Sequence, residues 1–282
     1  MKLAVPGDPG VAREARVLEA LAVAGAADVP RVEVARDELL AVRWVAGPTL
    51  HAVRRSRTKG GALDGVIGTS LARLQAVGAR WAAPFEAAPS FARSLLWVSP
   101  EQFALLGPAG RALTATVQAS ERAVQTLSWL TQTEATVAGA PTLVHADLRQ
   151  ANLLVRGRRV TFIDWEGAGL GDPARDVGSL LADDFRAWVE PATQAEVQSK
   201  RDRDAHARAV VRAWEAERRR LGARSLEHQR ARIVGWLAEG LLRQASSAAH
   251  HHHHFAQHVV AAAVTLLEDP IGAARDLFGG QR

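Results

Sequence analysis

The chain of 282 residues has no cysteine, no tyrosine, one methionine, one asparagine (Asn152) and three lysines (Lys2, Lys59 and Lys200). Without cysteine there is no disulfide framework, no thiolate metal site and no thiol nucleophile, and the composition suits a reducing compartment. Long hydrophobic runs are lacking too. The best, Val259 to Leu267, is far short of the roughly 20 residues that cross a bilayer. The start Met1-Lys2-Leu3-Ala4-Val5-Pro6-Gly7 carries one charge and no adequate apolar region, so it does not read as a signal peptide and a soluble, cytoplasmic protein without a membrane partner is expected.

The formal charge of +5 and a pI near 10.7 raise the question of nucleic acid, since cations clustered on one face attract phosphates. Here they are scattered among acids, as in Arg201-Asp202-Arg203-Asp204 and Glu215-Ala216-Glu217-Arg218-Arg219-Arg220. Such runs read as solvated helix faces, and no nucleic-acid partner is expected. The length supports one large or two modest domains with a sizeable core.

Periodicity divides the chain unevenly. Leu3 to Val5 reads as a short strand ended by Pro6-Gly7-Asp8-Pro9-Gly10, and Val11 to Val23 as a helix that stops near Gly25. Val32-Glu33-Val34-Ala35 and Leu39 to Trp44 suggest a hairpin, punctuated by Gly47-Pro48. From Leu50 onward the pattern is mostly helical: Leu63 to Val77, Glu101 to Leu106, Arg111 to Leu130, Arg175 to Leu181, Ala205 to Leu221, Leu226 to Ser246 and Phe255 to Leu267. A strand-like insert, Leu143-Val144, Leu153-Leu154-Val155 and Val160 to Ile163, interrupts it. No repeat of solenoid period is present.

That insert carries the polar residues of interest. It reads Leu143-Val144-His145-Ala146-Asp147-Leu148-Arg149-Gln150-Ala151-Asn152-Leu153, then Phe162-Ile163-Asp164-Trp165-Glu166. Two acids and the sole asparagine are bracketed by apolar strand residues, which gathers their side chains at strand ends. Phosphoryl transfer from a nucleotide needs this set: a carboxylate to orient or deprotonate an acceptor hydroxyl, and hard oxygen ligands for Mg²⁺. Taken singly, each position has a plain alternative, because an Asp at a strand end is commonly a turn or cap residue and an Asn commonly sits in a left-handed turn. It is the ordered set that points to chemistry.

His-x-Asp-x-x-x-x-Asn, then Ile-Asp-Trp-Glu, then Gly171-Asp172-Pro173-Ala174-Arg175-Asp176 resembles the aminoglycoside phosphotransferase and choline kinase-like branch of the protein-kinase-like fold. The match is most specific from Leu143 to Leu181. Glu14 resembles the helix-C glutamate of that fold, Trp44 to Leu50 the interlobe hinge, and Leu71 to Gln75 a helix that usually ends in Leu-His, with Gln75 in place of His. The resemblance implies Asp147 as catalytic base, Asn152 and Asp164 as Mg²⁺ ligands in the nucleotide site, and His145 as support for the catalytic loop. Arg149, two residues after the base, would neutralise charge on the transferring phosphoryl group. Asp176 would open a helix and steady the loop by hydrogen bonding.

The pattern departs from the family at the head. A glycine-rich loop between two strands, and a lysine on the third strand paired with the helix-C glutamate, are the usual front of the nucleotide site. Here the chain starts at what should be the third strand, with Lys2 as the candidate partner of Glu14. Either the start is placed too far downstream or the head is naturally reduced.

The fold class expected is therefore α+β: a two-lobed protein-kinase-like fold with a reduced N-terminal β lobe (1–46) and a mostly helical C-terminal lobe (47–282). The function expected is an ATP- or GTP- and Mg²⁺-dependent phosphotransferase acting on a hydroxyl of a small molecule. Two other readings stay open: a pseudokinase-like binding module, or a peptide-modifying kinase of a natural-product pathway that works with a partner. The partners expected are the small-molecule acceptor and, for a reduced head, a protein that completes the N-terminal lobe.

Two further signals carry less. Gly167-Ala168-Gly169-Leu170-Gly171 resembles a dinucleotide fingerprint with its third glycine one residue early, and a turn after Asp164 explains it better. The run His250 to His254 reads as a solvated helix or loop, because consecutive helical residues point in different directions.

Overall fold

The computed structural model describes residues 2–3, 9–36, 39–55, 61–80, 87–88, 108–136, 142–189, 200–223, 228–248 and 253–279. They fall into two compact units. The first takes in residues 1–89, 139–176 and 208–225, and the second 90–138, 177–207 and 226–282.

The first unit holds the β structure. Strand β1 (Lys2–Leu3) pairs antiparallel with β3 (Leu39–Val42), which pairs on its other side with β2 (Val32–Arg36), so the sheet order is β1-β3-β2. Lys2 stands opposite Leu40 and Arg36 opposite Leu39. Three strands make a small sheet, in line with the reduced β head expected. Helix α1 (Gly10–Val23) buries Val11, Ala15, Leu18 and Leu21, a spacing of three and four that builds one apolar face. It ends at Gly25, whose φ of +77° suits a residue without Cβ.

The segment after β3 is fastened to a hairpin more than a hundred residues further along the chain. Next in the chain come α2 (Leu50–Arg55) and α3 (Gly61–Arg80). Gly47 has φ +150°, and a Cβ there would run into the carbonyl oxygen of Val155. The next residue, Pro48, accepts a 2.9 Å bond from the Val155 amide. Val155 lies in the hairpin of β5 (Leu153–Arg156) and β6 (Arg159–Phe162), while β4 (Thr142–Val144) pairs antiparallel with β7 (Gly169–Gly171). The glycines expected to form only a turn thus include a strand, because their backbone completes the pairing of β4.

The second unit is helical among its described residues. It contains α4 (Pro108–Gln118), α5 (Glu121–Thr136), most of α6 (Pro173–Val189), the start of α7 (Lys200–Arg220), α8 (Gln229–Ala248), α9 (His253–Glu268) and α10 (Pro270–Phe278). Helix α8 is buried on all sides through Ile233, Val234, Trp236, Leu237, Leu241 and Leu242. It meets α6 closely: a Cβ on Gly178 would lie 2.6 Å from the Leu237 amide nitrogen and the Trp236 Cβ, and one on Gly240 would lie 2.8 Å from the Ala182 Cβ.

The single helix expected over Arg111 to Leu130 is two, α4 and α5. Ser120 stops the first and caps the second, its Oγ accepting from the Ala123 amide at 3.3 Å, a use of serine that competes with helix continuation. Helix α10 was not anticipated. Asp269 caps it by accepting from the Gly272 amide at 2.8 Å, with Pro270 in its first turn. The helix expected at Glu101 to Leu106 and the histidines His250 to His252 lie outside the described residues. No helix among the described residues is long and apolar enough to cross a membrane.

Candidate active site

The loop from β4 to β5 is shaped by one carboxylate. Asp176, in the first turn of α6, accepts the His145 amide on Oδ2 and the Ala146 amide on Oδ1, each at 3.0 Å. Ala146 is held at φ +65°, a left-handed conformation that costs an alanine about 1 kcal/mol. The two amide bonds offset that cost and turn the chain so that Asp147 follows at the tip. Asp176 thus steadies the loop, as the sequence suggested.

His145 is fully buried and links this loop to the segment after β6. Its Nε2 lies 2.8 Å from the Ile163 carbonyl oxygen, and because a carbonyl only accepts, the imidazole carries its proton on Nε2. Its ring stacks at a tilt on Trp165, with centroids 4.6 Å apart. Asn152 ends the short 3₁₀ turn Gln150–Asn152. Its carbonyl accepts from Ile163 at 3.0 Å, and its Nδ2 donates to the Asp147 carbonyl oxygen at 2.9 Å, with Asp147 Oδ2 at 3.4 Å. Asp147 and Asn152 are therefore locked to each other. Asp164 follows β6 with φ +71° and ψ +58°, again left-handed for a residue with a Cβ.

Arg149 lies against the candidate base. Its Nη2 makes a 2.9 Å ion pair with Asp147 Oδ2, with the arginine side chain 52% exposed and the aspartate 30%. The guanidinium thus lies beside the candidate base, within reach of solvent.

Helix α1 reaches the same site. The Oε1 of buried Glu14 accepts from the Trp165 amide at 3.2 Å, and Arg13 Nη1 donates to the Glu166 carbonyl at 3.2 Å. Carboxylate oxygens of Glu14, Asp164 and Glu166 lie within 4.8 Å of one another. Glu166 was not among the residues singled out, although it belongs to the Ile-Asp-Trp-Glu run; its proximity to Glu14 is a tertiary fact. For Lys2 the structure gives only the backbone pairing in β1.

The site thus brings together Asp147, Arg149, Asn152 and His145, with Asp164 and Glu14 in a second group tied to it through the His145 bond to Ile163. Besides the His145 imidazole, which is used on Ile163, the groups are hard oxygens and one guanidinium, a set suited to a divalent cation and phosphate.

A profile of the phosphotransferase enzyme family matches residues 1–224, and the chain belongs to that family. It is a small-molecule phosphotransferase of kinase-like fold. A solved glucosamine kinase superposes with a TM-score of 0.65 at 21% identity, covering 94% of this chain and 72% of that one. A further structure of glucosamine kinase, with glucosamine, ADP and inorganic phosphate, gives 0.64 at 19%, covering 95% and 74%. A choline/ethanolamine kinase family protein from Mesorhizobium loti gives 0.59 at 17%, covering 94% and 81%. At these identities the likeness shows the fold. No curated protein matches the chain by sequence.

Proposed function

We propose that the chain transfers the γ-phosphoryl group of ATP to a hydroxyl of a small, amine-bearing molecule, with Asp147 as base. The observation that carries this reading is the locked pair of Asp147 and Asn152, set on a loop whose strained turn Asp176 holds in place. A carboxylate at the loop tip, part-exposed and fixed by neighbours, suits an acceptor that arrives from solvent.

In the reaction the acceptor oxygen forms a bond to the γ-phosphorus while the bond to the β–γ bridging oxygen breaks, and the hydroxyl proton passes to Asp147. Products are a phosphate ester, ADP and a proton. Arg149 is in place to leave the Asp147 carboxylate and meet the transferring group, where its fork matches phosphate oxygens. Asn152, through its amide oxygen, and Asp164 would hold Mg²⁺, which neutralises phosphate charge when bound. Glu14 and Glu166 stand near enough to Asp164 to join in holding the ion. Lys2, at the start of β1, is the residue proposed to pair with Glu14.

Amine-bearing acceptors are favoured because the similar folds include kinases of glucosamine and of choline or ethanolamine. ATP is preferred over GTP because one of those structures contains ADP. The test has two parts. Saturating Mg-ATP should raise the melting temperature, with Mg-GTP as comparison, and [γ-³²P]ATP should label acceptors in a panel of amino sugars, amino alcohols and aminoglycosides. Asp147→Ala should lower transfer by about a thousandfold while leaving the fold intact. A melting temperature that neither nucleotide moves counts against the proposal.

A further inference from the structure

Gln75 is an uncharged residue in a fully buried polar relay. It lies on α3 and is 1% exposed. Its Nε2 donates to the Pro173 carbonyl at 3.0 Å and to Asp176 Oδ2 at 3.1 Å, and its Oε1 accepts from Trp214 Nε1 at 2.9 Å. The amide orientation is unique, since Pro173 and Asp176 offer only acceptors and the indole only a donor. Both amide hydrogens and the oxygen are used.

We infer that Gln75 is a positioning residue for phosphoryl transfer, acting through Asp176 on the loop that bears Asp147; this rests on the reading of Asp147 as base. Asp176 can hold the His145 and Ala146 amides with different oxygens only in one rotation of its carboxylate. The Gln75 hydrogen bond from α3 opposes rotation, and Trp214 from α7 in turn fixes Gln75. Were the carboxylate freed, Ala146 could relax from φ +65°, the peptide ahead of Asp147 would turn, and the base would move. Asn152 has separate support, its carbonyl being bonded to the Ile163 amide at the end of the β5–β6 hairpin. The backbone of Asn152 therefore keeps an anchor of its own while its side chain shares the movement of Asp147, so the loss falls more on kcat than on the KM for ATP.

The experiment compares the wild-type chain with Gln75→Leu, Gln75→His and Trp214→Phe. Gln75→Leu should lower kcat about 10- to 100-fold. The KM for ATP should stay within about threefold. Histidine can still donate to Asp176 and accept from Trp214, so Gln75→His should recover most of the lost kcat. Hydrogen exchange at the His145 and Ala146 amides should accelerate in Gln75→Leu and, to a lesser degree, in Trp214→Phe. A purely structural role would lower the melting temperature of Gln75→Leu and leave kcat of the folded protein unchanged.

An unchanged kcat, or unchanged exchange at the two amides in a folded Gln75→Leu, overturns the inference. If that variant does not fold, Trp214→Phe decides it by the same exchange measurement. Absence of phosphate transfer by the wild-type chain would remove the function proposed above. The exchange measurement needs no acceptor and still judges the relay by itself.

Discussion

Within helix α6, residues 173–176 and residues 177–189 are held by opposite means. In the first stretch Asp176 works by direction: each of its oxygens meets a backbone amide at 3.0 Å, and the bonds set the angle of a loop. In the second, Gly178 and Ala182 work by lacking bulk, so that the backbone of α8 can approach. Directional bonds suit a place where an atom must be aimed, because hydrogen-bond strength falls steeply with angle. Close packing suits a helix body, where volume matters and the exact rotation of a single group does not.

The contrast can be tested from its packing side first. Gly178→Leu should cost about 3 kcal/mol or more, since the contacts to be displaced are backbone and Cβ atoms that cannot rotate away. Chemical denaturation would measure it, and a smaller loss would show that the two helices can part. On the directional side, Asp176→Ala strands two buried amides and should cost about 2–3 kcal/mol. Its mark is functional as well: phosphoryl transfer should fall further than the loss of folded protein explains, whereas Gly178→Leu should lower activity only in step with folding.

Gly47→Ala combines both kinds of fault, a clash with the Val155 carbonyl and an unfavourable φ, and should cost about 1–2 kcal/mol. It should also weaken the thermal shift given by Mg-ATP, because Gly47-Pro48 is pinned to β5, the strand that follows Asn152. The smallest effect belongs to Glu217, a buried carboxylate whose two arginine partners face solvent. Arg220 and Arg73 hydrogen-bond Glu217 and hold its carboxyl at about 2, well below the usual 4.5. Ionised Glu217 is favoured in the folded state, so its contribution is complete above pH 4.5 and is lost as pH falls toward 2. Both arginines are more than half exposed, so water and salt weaken the pair. Glu217→Gln should therefore lower the melting temperature at pH 7 by only about 1–3 °C, and the difference should vanish near pH 2.

Much of the molecule was legible in the sequence. The hairpin of Val32 to Val42 was legible from its β-rich runs, while that of Leu153 to Phe162 alternates in burial and the helices follow three-and-four spacing, because one buried face imposes each of these two periods. The run from His145 to Asp164 could be recognised because its members are close in sequence and constrained by short strands. What could not be read involves partners brought from afar. Ser120 divides a helix whose apolar pattern runs through it. Gln75 stood out in the sequence only as a replacement for a usual histidine, and its partners Trp214 and Asp176 were not readable because they come from distant segments. The ion pair of Arg149 with Asp147 was likewise not legible, since spacing two residues apart does not say where a long side chain turns.

The order and chemistry of the polar set were determined by sequence alone: a carboxylate, an amide and a second carboxylate at short strand ends, with a lone asparagine among them. Local rules suffice there, since strand, turn and side-chain type are decided within a few residues. The aim of that set was decided only by tertiary structure. Left-handed turns at Ala146 and Asp164 are unfavourable in isolation, and they persist because distant residues supply the opposing bonds, among them Asp176, with Gln75 from another helix behind it.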